Sequence, residues 1–290
     1  MDNKIGASFG KQTLTMVSRN FEIMTNSISK PITLIVIPLI CSVVVTFVAG
    51  NNMFEYYNAT MSGFLALICA CIFTGLFNSI AEVYPERSMV KREYASYMSL
   101  GAYILAKMIV QAIICIPQSY LLIGMLSLGV GLPEEGIIFE SAFLEYYVTI
   151  FMLMYASDAI GMFISSMVKT ASSATIIAPV ILICQMAFSG ALFELKNFTK
   201  TASVFMVSRW AMEAVGSTSR LNDLPVDCTN IPEDILSMFP DLGYDMNKYK
   251  EAYESTPEHI WQVWAILGVF IVVFGVLSAF ILKRVEKDDR

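Results

Sequence analysis

The sequence predicts an all-α integral membrane protein with six transmembrane helices, and three observations carry that prediction. Of the 290 residues, 56% are hydrophobic and only 15% charged, whereas a soluble domain is about a quarter charged. Six apolar runs, at 32–50, 60–82, 99–131, 141–167, 172–193 and 260–282, are long enough to cross a hydrocarbon core, which takes about 18 residues or more. The Lys and Arg residues are divided unevenly between the segments that join those runs, as they are in membrane proteins of fixed orientation.

The first 30 residues are polar and mixed, unlike a signal peptide. Phe9, Leu14, Met16, Val17, Phe21 and Met24 are interleaved with Lys11, Arg19 and Glu22. That pattern predicts an amphipathic helix over 9–27, lying on a membrane surface or on a partner. The third run is longer than one span needs and contains Gln111, Pro117 and Gln118. Its proline is expected to kink the helix or to end one half of it.

Between the second and third runs, Glu86, Arg87, Lys91, Arg92 and Glu93 crowd into one polar stretch. Pro85 suits the first turn of a helix, and Glu86 beside it suits the positive end of the helix dipole. A short helix over about 85–97 places Arg87 near Lys91, and Met89 near Arg92 and Glu93, at i+3 or i+4. Composition alone leaves two readings open: a docking element, or a solvated loop that only enforces orientation.

Orientation follows from the 19 Lys and Arg residues. With the N-terminus inside, twelve fall in inner segments: Lys4, Lys11, Arg19, Lys30, Arg87, Lys91, Arg92, Lys169, Lys283, Arg284, Lys287 and Arg290. Six fall in outer segments, all within 194–258, and long loops cross despite their charge. The last is Lys107, inside the third run. Both termini are therefore expected in the cytoplasm of a multi-pass cell-membrane protein. The chain reads as one transmembrane domain, 1–290. Its parts are a connecting helix in 1–30, five spans in 31–193, an outer segment in 194–258, and the sixth span with its tail in 259–290. The outer segment reads as a folded cap because Trp210, Met212, Ile235, Leu236, Met238 and Phe239 need burial.

Several chemistries are not expected. No basic run points to nucleic acid. Gly6 to Gln12 falls short of a phosphate loop, with three residues between its glycines and Gln after the lysine. A single histidine, His259, makes a histidine-based metal site improbable. Cys41, Cys69, Cys71, Cys115 and Cys184 lie in apolar runs, where cysteine packs as a small hydrophobe. Cys228, the one loop cysteine, is the candidate for a disulfide between chains. Two ionisable residues inside the spans draw attention. Asp158 reads as functional by default, as a partner for a cationic substrate or as a proton site. The structural alternatives are a cap on a broken helix, or a pair with Lys107 or Ser157. Lys107 is expected to snorkel towards the inner surface.

Three motifs in order along the chain resemble a known family. Glu86-Arg87, Lys91-Arg92-Glu93-Tyr94, Tyr97, Tyr103 and Lys107 form the first; Phe188-Ser189-Gly190-Ala191-Leu192-Phe193 the second; Ser208-Arg209-Trp210-Ala211-Met212-Glu213-Ala214 the third. Together they are similar to the membrane domain of G-type (white/breast-cancer-resistance-like) ABC transporters, of the ABC-2 permease class. The resemblance implies that two membrane domains, two copies or a copy with a paralogue, form a cavity on their shared axis. It implies that the helix after span two, carrying Glu86, Arg87, Lys91, Arg92 and Glu93, docks on an ABC ATPase beside the connecting helix, and that ATP and Mg bind that partner rather than this chain. Salt bridges between the connecting and docking helices would transmit force. It implies a substrate cavity at Phe73, Phe77 and Asn78 of span two and Gln185, Met186, Phe188 and Ser189 of span five, with Leu192 and Phe193 as an outer plug and re-entrant helices in the outer segment. An aromatic, Met-rich lining suits an amphipathic or apolar substrate, which the family exports by alternating access.

The chain departs from most relatives in carrying no ATPase of its own. Its initial Met is the ground for expecting a separate ATPase subunit, the alternative being the membrane half of a longer chain. Two other functions stay in view: a membrane enzyme using Asp158, which needs a second polar group at the same depth, and a scaffold that recruits a partner without transport.

Overall fold

The computed structural model describes residues 8–26, 29–50, 52–193, 198–226 and 249–284. Among them the chain forms ten α-helices and no strand. They are α1 (Phe9–Asn26), α2 (Ser29–Ala49), α3 (Tyr57–Ser79), α4 (Arg87–Ala95), α5 (Leu100–Gly129), α6 (Ala142–Met167), α7 (Ala171–Ala187), α8 (Phe198–Ser203), α9 (Val207–Thr218) and α10 (Pro257–Leu282). Five of these, α2, α3, α5, α6 and α10, are long and apolar enough to cross a membrane. The protein is a multi-pass, all-α membrane protein.

Helix starts follow local chemistry. Ser99 accepts from the Ala102 amide at the head of α5, and Thr170 from the Ser173 amide at the head of α7. Thr256 caps α10 by accepting from the His259 amide, with Pro257 in its first turn.

The third span is one unbroken helix through Pro117, so of the two outcomes expected of that proline the helix end is excluded. A proline leaves one carbonyl of the preceding turn without its amide donor, which the rest of a 30-residue helix tolerates. The fifth span, expected over 172–193, is helical only over Ala171–Ala187. At about 1.5 Å per residue its 17 residues reach about 25 Å, less than the roughly 30 Å hydrocarbon thickness. The chain leaves the helix at Phe188, and Gly190 takes φ +80°, a left-handed conformation that glycine adopts without a Cβ penalty.

α6 lies at the centre and is largely buried, packed against α3, α10, α5 and α9; α2 and α10 are largely exposed. Their exposed residues, Phe47, Val48, Val272 and Phe280 among them, are apolar, as hydrocarbon requires of a bundle surface. The α3–α6 seam depends on small residues. A Cβ on Gly75 would run into the Met154 carbonyl oxygen, and one on Gly161 into the Leu76 carbonyl oxygen and the Ser79 hydroxyl. Ser79 Oγ donates to the Asp158 carbonyl oxygen across the seam at 2.6 Å. This is the close packing by which transmembrane helices associate in the absence of a hydrophobic drive.

Candidate coupling site and translocation surface

α4 follows a single 3-10 turn, Tyr84–Glu86, at the end of the bundle where α1 lies. Its seat is built from α6 and α5. The Ser165 hydroxyl accepts from the Val83 and Tyr84 amides at 2.9 and 3.2 Å. Arg87 Nη1 donates to the carbonyl oxygens of Ser166 and Val168 at 3.0 and 2.7 Å. The guanidinium therefore closes the C-terminal end of α6, where carbonyls lack helix partners and the dipole is negative. Val83, Val90 and Met98 are buried beneath.

Behind this turn, Lys107 is 3% exposed. Its Nζ donates to Glu82 Oε2 at 2.9 Å and Glu86 Oε1 at 2.8 Å, and the Tyr103 hydroxyl donates to Glu86 Oε2 at 2.6 Å. The expectation that Lys107 snorkels is corrected: two carboxylates supply a closer partner than the membrane surface does. The alternative pairing with Asp158 is corrected by the same contacts. Ser157 does not pair with Asp158 either; its hydroxyl donates to the Leu153 carbonyl oxygen. The Asp158 carboxylate is fully buried, with no hydrogen-bond partner among the described residues.

α1 is tied to this seat. Arg19 of α1 and Glu93 of α4 form a salt bridge at 2.7 Å, and Gln12 of α1 accepts from the Ser99 amide at 2.9 Å. Of the five polar residues singled out by sequence, Glu86 and Arg87 turn into the bundle and Glu93 turns to α1. Arg92 is exposed, and Lys91 is half-buried. Ser88, Arg92 and Ala95 make the outward face of α4, at helical spacing. Beside it Lys91, Tyr94, Ala95, Tyr97 and Met98 shape a concavity. Tyr97 holds φ +68° there, a strained backbone for a non-glycine residue.

On α3, Phe73 and Phe77 pack together one turn apart as a tilted pair, with ring centroids 4.4 Å apart. Asn78 turns towards α5, donating to Gln118 Oε1 at 2.6 Å, while Gln118 also donates to the Leu34 carbonyl oxygen of α2 at 2.7 Å. α7 packs on α3, but two of the four cavity candidates on α7 and the turn after it are committed elsewhere. Gln185 binds Ser208 of α9 through both its side-chain and backbone oxygens, and Ser189 closes the local turn by donating to the Met186 carbonyl oxygen. Met186 and Phe188 are half-buried, and Leu192 and Phe193 are exposed at the opposite end from α4. Cys228 lies outside the described residues.

The third motif proves to be a brace. Arg209 pairs with Glu213 at 2.8 Å and donates to Ser203 Oγ at 2.9 Å, and Trp210 Nε1 donates to the Val204 carbonyl oxygen. Burial raises the Glu213 carboxyl above its ordinary range, with the Arg209 hydrogen bond opposing. Sequence reading missed Glu145. It is fully buried at the head of α6, accepting from the Ile137 and Ile138 amides at 2.8 and 2.9 Å and from the Thr218 hydroxyl of α9. An acid inside an apolar run is the signal that singled out Asp158, and Glu145 carries it too.

The family model described as ABC-2 type transporter matches residues 11–218, from within α1 to the end of α9. The ABC transporter ATP-binding/permease protein Rv1747 of Mycobacterium tuberculosis (strain ATCC 25618 / H37Rv) is 23% identical over 221 residues, which cover 73% of this chain and 26% of that protein. The chain thus spans about a quarter of the length of this curated relative.

Proposed function

The chain belongs to the ABC-2 type transporter family, and on that premise we propose that it is the permease subunit of an ATP-driven exporter of the G-type kind. Two permeases, identical or paralogous, pair in the cell membrane with both termini in the cytoplasm and residues 194–258 outside. An ABC ATPase docks on α4 and α1, and its closure drives alternating access that moves an amphipathic or apolar substrate outward. Phe73, Phe77, Met186 and Phe188 are its contact residues, with Leu192 and Phe193 as the outer plug.

The observation that carries this reading is the seating of α4. Glu86, Arg87 and Glu93 bind α4 and the turn before it to α5, α6 and α1, while Ser88, Arg92 and Ala95 face outward beside the Tyr94–Tyr97 concavity. A helix fixed to three membrane elements and open on its fourth side passes displacement of a bound partner into the bundle. The membrane-enzyme reading loses its second group, because Lys107 is committed to Glu82 and Glu86.

The test is co-purification with a candidate ABC ATPase, followed by ATP hydrolysis. Arg92→Glu is expected to weaken association, and Glu93→Ala to leave association but cut hydrolysis several-fold by freeing α1 from α4. Unchanged hydrolysis in both folded variants, or no associating ATPase, would reject the coupling role.

A further inference from the structure

A cavity of about 260 Å³ lies between α1, α2, α3 and α5. Half of the side chains that line it are polar and half are apolar. The apolar half includes Leu34 and Ile37 of α2 and Val110 and Ile114 of α5. Ile23 and Phe77, also in the lining, are 43% and 38% exposed, so the cavity opens to its surroundings along that side. Phe77 also belongs to the substrate contacts proposed above, whereas Phe73, Met186 and Phe188 are not in the lining.

The polar half divides into groups that are engaged and groups that are not. Its charged members are engaged. Lys107 Nζ donates to Glu82 and Glu86, the second Glu86 oxygen accepts from Tyr103, and Glu82 has a further interaction of its own. A charged head in the cavity would compete with ion pairs already formed, in surroundings where charge is weakly screened. Among the uncharged members, Thr74 donates to the Ala70 carbonyl oxygen, Asn78 donates to Gln118, and Thr33 is engaged as well. Two groups remain. The Asn20 side-chain nitrogen and the Gln111 side-chain oxygen are buried, and neither has a hydrogen-bond partner among the described residues. The two residues are 7% and 3% exposed, and both line the cavity. The Gln111 nitrogen is committed to the Asn78 carbonyl oxygen, which fixes which end of that amide is left over. Such atoms are ordinarily paired. Here one needs an acceptor and the other a donor, and a hydroxyl is the neutral group that supplies both.

We propose that this cavity binds an uncharged lipid whose head carries two neighbouring hydroxyls, an alkyl or acyl glycerol. One hydroxyl accepts from Asn20 and one donates to Gln111. The chain lies against Leu34, Ile37, Val110 and Ile114 and leaves past Phe77. Water pairs the two amides but gives the apolar half of the lining no apolar partner. The site lies within one copy of the chain and requires neither an ATPase nor a second permease, so it stands apart from the coupling reading.

The experiment is photolabelling of the purified full chain in phosphatidylcholine nanodiscs, read by mass spectrometry of the labelled peptides. The probe is 1-O-dodecylglycerol with a diazirine in mid-chain. Saturable labelling of lining residues on α2, α3 and α5 is expected, competed by unlabelled 1-O-dodecylglycerol. Dodecylammonium, dodecyl phosphate and the 2,3-dimethyl ether of the same glycerol, which has no hydroxyl, should compete about tenfold less well. Asn20→Leu and Gln111→Leu are each expected to weaken labelling about fivefold, the loss of one neutral hydrogen bond. Ile114→Trp, which fills the apolar part, should weaken it about tenfold. Leu128→Trp, at an 86% exposed position near the far end of α5, should leave it unchanged. Labelling that does not saturate in the cavity leaves the two amides to water and overturns the proposal. So does equal or better competition by a charged amphipath or by the dimethyl ether, or undiminished labelling in the folded cavity variants. If a variant fails to fold, Val110→Phe, which narrows the same cavity, and the wild-type competition series decide. The assay contains no ATPase, so a negative result leaves the coupling reading standing, and failure of an ATPase to associate leaves this one.

Discussion

A single residue, Lys107, sets how the α4 end of the bundle is held. Its charge is buried and paired with Glu82 and Glu86, so removing it alone takes the ammonium away from both carboxylates. One-sided disruption of a buried pair costs about 3–5 kcal/mol, whereas neutralising all partners together is often close to neutral. The glutamates are about a fifth exposed, so the lower part of that range applies here. Lys107→Met is therefore expected to lower the thermal midpoint in detergent by more than the triple variant Lys107→Met/Glu82→Gln/Glu86→Gln does. A triple variant less stable than the single one would show that the charges themselves hold the turn. That Lys107 is special was legible in the sequence, because an ammonium in an apolar run demands a partner. Which partner was not: Glu82 stands 25 residues away, and only the packing of α3 against α5 brings it near. Arg87 was legible as a surface charge and proves to be the C-terminal brace of α6, since a guanidinium's reach is set by what folds beneath it.

At the scale of elements, helix existence was written in apolar run length, and helix seams were not. Gly75 and Gly161 look in sequence like Gly124, yet only the first two lie where α3 and α6 approach. Gly161→Ala should destabilise the bundle by about 1–3 kcal/mol, as overpacking does. Gly124→Ala, with nothing within 4 Å of the added Cβ, should raise the midpoint modestly, since glycine inside a helix costs about 0.5–1 kcal/mol relative to alanine. Thermal unfolding of the two variants side by side checks the assignment, and equal effects would refute it. The early end of α7 shows the same division. The Phe-Ser-Gly stretch was recognisable, but apolar composition continued to Phe193 and hid the point where Gly190 turns the chain.

For the whole molecule, α7 presents Ile176, Val180 and Ile183 outward, each more than half exposed, with Cys184 beside them. Lipid satisfies such a stripe as well as protein does, so exposure alone names no partner. If two permeases meet across α7, a short bis-maleimide should link two copies through Cys184 in native membranes. Cys184→Ser should abolish the link, and a wild-type chain that stays monomeric under the reagent would place the shared axis elsewhere. The sequence by itself determined the solvent this protein lives in, the number of its apolar runs, the polar stretch between the second and third of them and the family resemblance. All of these rest on composition and local order, which a linear chain carries directly. Tertiary structure alone decided that Glu86 and Arg87 face inward, that Asn78 and Gln185 serve neighbouring helices, that Glu145 clasps α9, and that a cavity opens beside Lys107. Each of these depends on residues tens of positions apart meeting at hydrogen-bond distance, and helix periodicity gives the face a residue occupies but not the helix that covers it.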